Sequence, residues 1–211
     1  MQVKEKLNEA HYFLDLLKST PQDNTHEKEF MYILSAYLNS WASVLDVLLY
    51  DYLEKFSLGF SRNDRITERE FEVAARALKN TQALSFVQWW KQQLGVLSKD
   101  PLWTKRNLIV HRGYPPTMHV YAIYIAESIA VSSTISIYGP SSYTAGSSGP
   151  SAIPPATTPG SATAQPTPQT ARTTAEIRFA DLPDRSVIDY CQRAYDEMEK
   201  IVCSALAQFG S

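Results

Sequence analysis

The sequence KDPLWTKRNLIVHRGYPP, residues 99 to 116, decides how the rest of the chain is interpreted. Asp100 is a residue type that caps helices, and Pro101 suits the first helical position, where no backbone N–H is needed. Gly113 suits the residue just past a helix end, and the two prolines that follow prevent continuation. The stretch therefore predicts a short helix over residues 101–112 with a sharp start and a sharp end.

This predicted helix carries three polar residues that can act together on a phosphate. Asn107 and His111 are four residues apart and so share a helix face. Arg106 lies about 140° from His111 around an ideal helix, because each residue turns by about 100°. The two meet only if the helix end loosens or if a second molecule brings its own copy alongside. A histidine that titrates near neutral pH, beside a fixed cation, can move protons next to a phosphate.

The order of Arg106, Asn107 and His111 resembles the R-x(4–6)-H signature of the HEPN superfamily, in which a polar residue often follows the arginine. The resemblance implies a small helical bundle that is commonly dimeric. Many members are metal-independent ribonucleases, including toxins of toxin–antitoxin systems and effectors of antiphage defence. A second match to the bare pattern, from Arg112 to His119, runs through Gly113 and two prolines and cannot form one helical face.

The resemblance also implies a role for each residue of the motif. The 2′-OH of RNA attacks the adjacent phosphate and leaves a 2′,3′-cyclic phosphate, with His111 as general base or acid. Arg106 stabilises charge on the phosphorane oxygens through its planar donor fork, and Asn107 binds the phosphate or orients the histidine. Three neighbours are expected to position the RNA backbone or a base: Lys105, Arg112 and Tyr114. Two chains are expected to form a homodimer through the helix 101–112, so that two motifs line one cleft.

Two other interpretations of the motif stay open. An arginine and a histidine near a helix C-terminus can satisfy the last carbonyls and the helix dipole with no further role. Alternatively, the chain is a non-catalytic HEPN module that dimerises or binds another protein, such as a nucleotidyltransferase antitoxin. The interpretations differ in what they require of the motif, since only catalysis needs Arg106 and His111 to act on the same phosphate.

The composition bounds the partners and cofactors of the protein. With 20 basic and 22 acidic residues the net charge is −2, so RNA binding requires a local basic patch. One such patch is opposed only by Asp100 and consists of Lys99, Lys105, Arg106 and Arg112. A solvated helix face accounts for the same cluster. Four scattered histidines and two cysteines on one predicted helix make no credible metal set, and no phosphate-loop or dinucleotide motif occurs, so we expect no metal and no cofactor.

The expected location is the cytoplasm. The N-terminal residues lead directly into an amphipathic helix rather than a secretory signal, and no apolar run reaches membrane-spanning length. Cys191 and Cys203 are twelve residues apart on one predicted helix, about 18 Å, which is too far for a disulfide. We therefore expect both to be reduced core residues.

Apolar periodicity predicts the helices that surround this motif. Their expected bounds are about 2–19, 25–56 and 82–97, with a helix capped by Thr67 and Glu70 before the last of these and a final helix, capped by Asp184, over about 184–209. The helix at 25–56 is long and apolar, which is typical of the central helix of a bundle. The tyrosines and tryptophan on its apolar face, Tyr37, Trp41 and Tyr52, are expected to pack in the core rather than to stack on bases.

The region before the final helix has a different pattern. Segments 119–125 and 130–137 and a short third segment, 176–179, are rich in β-branched residues and predict strands, although a helix over 120–132 is an alternative. Residues 139–174 are almost all Ser, Thr, Ala, Gly and Pro and predict a disordered loop at the tip of a β-hairpin; a tether or a partner-binding tail is the alternative. We therefore predict one mainly α domain over residues 1–211, an up-and-down bundle of five to six helices with a small β-hairpin insertion before the last helix.

Overall fold

A computed structural model of the chain describes residues 1–60, 64, 66–115, 117–124, 135–137 and 172–210. Within these residues the protein is mainly helical, and six helices pack with a small antiparallel sheet, which confirms the predicted fold class. The elements are α1 (Gln2–Ser19), α2 (Glu27–Lys55), α3 (Glu68–Ala77), α4 (Thr81–Leu97), α5 (Pro101–Arg112), β1 (Thr117–Tyr124), β2 (Ile135–Ile137), β3 (Arg172–Phe179) and α6 (Val187–Phe209).

The helix α1 forms because one face of it is continuously apolar. The buried residues are three or four positions apart, as a helix requires, and comprise Val3, Leu7, Ala10, Leu14 and Leu17. This stripe packs along α2 and also reaches α6. At its start, the free backbone N–H of Val3 donates to the buried carboxylate of Asp51 on α2 at 2.8 Å. The bond satisfies one of the donors that every helix N-terminus leaves open.

The central helix of the bundle is α2, which has 29 residues and so spans about 44 Å. Three of its aromatic side chains donate hydrogen bonds to backbone carbonyls of α6. Tyr37 Oη lies 2.6 Å from Cys191 O, and Tyr52 Oη lies 2.6 Å from Ala205 O. Between them, Trp41 Nε1 donates to the carbonyl of Ala194. The aromatic stripe of α2 therefore packs in the core, as predicted.

Among the described residues, α2 is the one helix that is long and apolar enough to cross a membrane, so the expectation that no apolar run reaches that length is wrong for this helix. In that apolar stretch, 56% of the helix is buried inside the bundle. Such burial is typical of the core helix of a soluble bundle, which has the same composition because it is surrounded by other helices.

The helices α3 and α4 close one end of the bundle. Thr67 and Glu70 form the predicted capping box of α3, and Asn80 caps α4 by accepting from the backbone N–H of Ala83 at 2.9 Å. Beneath them lies a cluster of aromatic rings in which Tyr52 stacks on Phe86 with ring centroids 4.2 Å apart. The cluster comprises Tyr52, Phe56, Phe71, Phe86, Trp89 and Phe209.

The insertion before α6 is a three-stranded antiparallel sheet with strand order β2-β1-β3. The third strand is longer than predicted: it begins at Arg172 rather than residue 176, and all eight of its residues pair with β1. The last three residues of the predicted loop therefore lie in a strand, because pairing with β1 satisfies their backbone groups. The helical alternative is wrong for residues 120–124, which are in β1. The rest of the predicted loop, 139–171, lies outside the described residues.

The helix α6 closes the bundle against α1 and α2, as predicted. Its N-terminal cap is Ser186 and not Asp184, because Ser186 Oγ accepts from the backbone N–H of Asp189 at 3.0 Å. The carboxylate of Asp184 instead accepts a hydrogen bond from the hydroxyl of Tyr190 at 2.7 Å, and this bond lowers the pKa of that carboxyl. Cys191 is buried as expected, whereas Cys203 is exposed, so the prediction of two core cysteines was wrong for Cys203.

Candidate functional site

The helix α5 has the bounds that its sequence predicts. Asp100 caps it by accepting from the backbone N–H of Leu102 at 2.8 Å, and Pro101 occupies the first position. Partial burial raises the pKa of the Asp100 carboxyl, and its bond to Leu102 opposes the shift. At the other end, Gly113 has φ 98°, which a residue with a side chain rarely adopts. The motif therefore lies on one unbroken helix, and its angular offset of about 140° between positions 106 and 111 holds.

One face of α5 is fixed in the core. Leu102 is fully buried, and Trp103 packs edge-on against Trp41 of α2 with ring centroids 5.9 Å apart. These contacts fix the rotation of the helix about its axis. As a result, Thr104 and Asn107 face solvent.

Lys105 belongs to this inner face, which corrects its predicted role as an RNA contact. Its side chain is only 3% exposed, and its ammonium forms an ion pair with Asp181 in the connection between β3 and α6. The same ammonium lies 5.2 Å from the centre of the Phe179 ring. The aliphatic stem fills the core while the charge is neutralised at the edge, so Lys105 connects α5 to the sheet and is not part of an RNA-binding surface.

Arg106 and Asn107 stand side by side on the outer part of α5. Arg106 Nη1 donates to Asn107 Oδ1 at 3.1 Å, which holds the two planar groups together. Arg106 Nε is buried, and no described residue accepts a hydrogen bond from it or from Nη2. Asn107 is exposed, and its amide nitrogen is left as a donor. The pair therefore presents donors that no described carboxylate occupies.

The charge of this arginine affects the pKa of a carboxylate on α2. Desolvation raises the pKa of Asp46, and the positive charge of Arg106 opposes the rise. The two groups do not form an ion pair. Asp46 therefore contributes to the electrostatic potential near Arg106 but does not bind the guanidinium. Sequence reasoning missed Asp46, because nothing in the local pattern of α2 indicates that it approaches α5.

His111 and Arg112 occupy the last turn of α5, and their side chains lie outside the described residues. The predicted contact of Arg106 and His111 across two chains therefore stays a prediction. The other match to the bare pattern is split between elements, since Arg112 ends α5 and His119 lies in β1. His119 is buried, with its Nε2 3.8 Å from a carboxylate oxygen of Glu27 on α2.

Tyr114 follows the Gly113 turn and meets a residue that sequence reasoning missed. Its ring centroid lies 6.2 Å from that of Tyr32 on α2, and the two ring planes are tilted by 56°. Tyr32 is 62% exposed and Tyr114 is 49% exposed. The available signal was that Tyr32 falls outside the apolar stripe of α2, although contact with Tyr114 depends on the tertiary fold.

An open groove lies at the opposite end of α5. It has a volume of about 480 Å³ and is bounded by the end of α4, the start of α5 and α6. Its charged lining residues are Lys99, Asp100 and Glu197. The groove begins at Pro101, about 15 Å along the helix axis from His111, so it is separate from the motif.

Comparison with known proteins gave no match: no family model, no curated protein and no solved structure matches this chain. The resemblance to HEPN proteins therefore depends on the residues of α5 and on the helical bundle that carries them.

Proposed function

We propose that this protein is a metal-independent endoribonuclease of HEPN type, acting in the cytoplasm as a toxin or an antiphage-defence effector. The observation that carries the proposal is the Arg106–Asn107 pair, a half-buried guanidinium held by an exposed amide on one face of α5. A guanidinium without a carboxylate partner among the described residues keeps donors for a phosphate. The buried Nε restricts the side chain, which reduces the entropy lost on binding.

The proposed reaction uses the neighbouring histidine as the proton carrier. One His111 takes the proton of the RNA 2′-OH while the 2′ oxygen forms a bond to the adjacent phosphorus. Arg106 stabilises the charge that develops on the phosphorane oxygens. The bond from phosphorus to the 5′ oxygen then breaks, and that oxygen takes the proton from the same His111, which is now protonated. The products are a 2′,3′-cyclic phosphate and a 5′-hydroxyl.

The test is cleavage of a mixed-sequence RNA in EDTA by the wild type, Arg106→Ala and His111→Ala. We expect rate losses of about 100- to 1000-fold for Arg106→Ala and about 100- to 10,000-fold for His111→Ala, the usual effects of removing a positioned donor and a general acid–base. The matched controls are Arg76→Ala, a helix arginine on α3, and His11→Ala, an exposed histidine on α1, and both should cleave normally.

The proposal fails if purified, folded wild type leaves RNA intact, or if Arg106→Ala cleaves as the wild type does. In the first case the non-catalytic alternative is favoured, a module that binds a nucleotidyltransferase or another protein. Circular dichroism of each variant separates loss of the site from loss of the fold.

A further inference from the structure

The tyrosine pair beside the motif is the surface feature that the proposed chemistry does not use. Two other tyrosines of α2, Tyr37 and Tyr52, are buried and donate hydrogen bonds to carbonyls of α6. By contrast, Tyr32 and Tyr114 are both about half exposed or more, and neither hydroxyl has a hydrogen-bond partner in the part of the chain that the structure describes. Two large rings kept at the surface lose the stabilisation that burial would provide.

The geometry of the pair leaves ring faces open. Tyr52 and Phe86 in the core lie 4.2 Å apart at 27°, so each covers a face of the other. Tyr32 and Tyr114 lie 6.2 Å apart with their ring planes tilted by 56°, so the two rings do not stack face to face on each other. An exposed aromatic face is the group on which an unpaired base stacks, and any base fits because every base has a π face.

The position of the pair links it to His111 of the proposed site. Tyr114 is three residues after His111, so their Cα atoms are at most about 11 Å apart. Lys28 and Glu29 flank Tyr32 one turn earlier on α2, so the charge beside the pair is balanced. Stacking rather than charge is therefore the available source of affinity at this point.

We propose that Tyr32 and Tyr114 form a stacking platform for an unpaired base next to the phosphate on which His111 acts, so that the substrate is single-stranded RNA. This inference rests on the proposed function for its phosphate site. In duplex RNA the bases are already paired and stacked and cannot lie on the rings, whereas splayed bases of single strands and loops can. Tyr114 was expected to position a base, and Tyr32 is the residue that completes the platform.

The test measures binding separately from cleavage, with a single-stranded 2′-O-methyl RNA of about 12 nucleotides that lacks the attacking hydroxyl. Fluorescence anisotropy compares the wild type with Tyr32→Ala, Tyr114→Ala and Tyr32→Phe. We expect each alanine variant to bind about 5- to 100-fold more weakly, as for loss of one stacked base, and Tyr32→Phe to bind as the wild type does because it keeps the ring. The matched control is Tyr12→Ala, which removes a tyrosine that is 60% exposed on α1 and should leave binding unchanged.

The outcomes separate this inference from the nuclease proposal. If the wild type binds the single strand through Tyr32 but cleaves no RNA, the platform stands and the nuclease proposal fails. If it cleaves RNA and Tyr32→Ala changes neither binding nor KM, the platform is wrong and the nuclease proposal stands. The platform is also wrong if the wild type binds a 2′-O-methyl duplex as tightly as the single strand, or if it fails to bind the single strand. It is likewise wrong if Tyr32→Ala abolishes self-association, because the tyrosine pair would then belong to a contact between chains.

Discussion

At the scale of single residues, Lys105 and Arg106 show how adjacent cations on one helix take different roles. A step of about 100° around α5 turns Lys105 into the core and Arg106 toward the surface. Lys105 is neutralised by Asp181 and lies against Phe179, whereas among the described residues Arg106 donates to the neutral amide of Asn107 and forms no ion pair. Of the basic patch seen in the sequence, Lys105 is therefore a structural cation, and Arg106 is the cation on which the proposed phosphate site depends.

The ion pair of Lys105 leads to a prediction about stability. Asp181→Asn leaves a buried ammonium with a weaker partner, and we expect it to lower the free energy of unfolding by about 1–3 kcal/mol. Lys105→Met removes the buried charge together with its need for a partner and keeps most of the volume, so we expect a smaller loss. Urea unfolding measures both, with Asp15→Asn, at an exposed aspartate on α1, as the control.

Lys105→Met also separates the structural role of Lys105 from RNA binding. We expect the variant to cleave RNA at the wild-type rate, because the ammonium is buried on the inner face of α5. A folded Lys105→Met protein with wild-type stability and reduced RNA affinity would contradict the structural role and restore the RNA contact.

At the scale of elements, the junction of α3 and α4 contains one carboxylate that accepts hydrogen bonds from side chains of both helices. Lys91 Nζ donates a hydrogen bond to Glu72 Oε2 at 2.6 Å, and Arg76 Nε donates one to Glu72 Oε1 at 3.2 Å. The hydrogen bond from Lys91, followed by that from Arg76, lowers the pKa of Glu72 from 4.5 to about 2. The ionised form is therefore favoured in the folded state.

This carboxylate predicts a pH-dependent contribution to stability. A pKa that is lower in the folded than in the unfolded chain stabilises the fold above pH 4.5, and that contribution is lost as the pH falls toward 2. We expect the Tm difference between the wild type and Glu72→Gln to be positive at pH 7, to shrink below pH 4.5 and to vanish near pH 2. Added salt should reduce this Tm difference at pH 7, because Glu72 interacts with Lys91 and Arg76 at the surface.

The control for this titration is Glu199→Gln, at an exposed glutamate of α6 with no ion pair in the described ranges. Its Tm difference should stay small and should not follow the profile of Glu72→Gln. A Glu72→Gln protein with the same Tm as the wild type at pH 7 would show that the junction does not depend on this carboxylate.

At the scale of the whole molecule, the geometry of α5 favours assembly of the site from two chains. Positions 106 and 111 are about 140° apart on one unbroken helix, so the two positions lie on different faces of α5. Thr104 and Asn107 are exposed, so the outer face of α5 is accessible to a second chain. We therefore expect a symmetric homodimer through this helix, with two motifs lining one cleft and Arg106 of one protomer paired with His111 of its partner.

Mixing two inactive variants tests this arrangement. Arg106→Ala and His111→Ala chains, unfolded together and refolded in equal amounts, form mixed dimers in about half of the molecules, and each mixed dimer keeps one of the two Arg106–His111 pairs intact. We expect about a quarter of the wild-type cleavage rate to return. No recovery from mixed dimers verified by sedimentation, or full activity of a wild-type monomer, would contradict a shared site.

The sequence by itself determined the elements whose causes are local. The bounds of α1 and α5, the capping box of α3 and the apolar stripe of α2 follow from residues three or four positions apart, since helix periodicity and caps act within one or two turns. The Arg106–Asn107 pair was accessible to sequence reasoning for the same reason, because the two residues are adjacent.

Only the tertiary structure decided which of these residues face one another. The ion pair of Lys105 with Asp181 joins residues 76 positions apart. The pairing of Tyr32 with Tyr114 and the length of β3 likewise depend on distant segments, since a strand extends only as far as its partner allows. The helix that carries the motif was therefore predictable from local chemistry, whereas the division of its side chains between core and solvent was set by how α5 packs on α2 and the sheet.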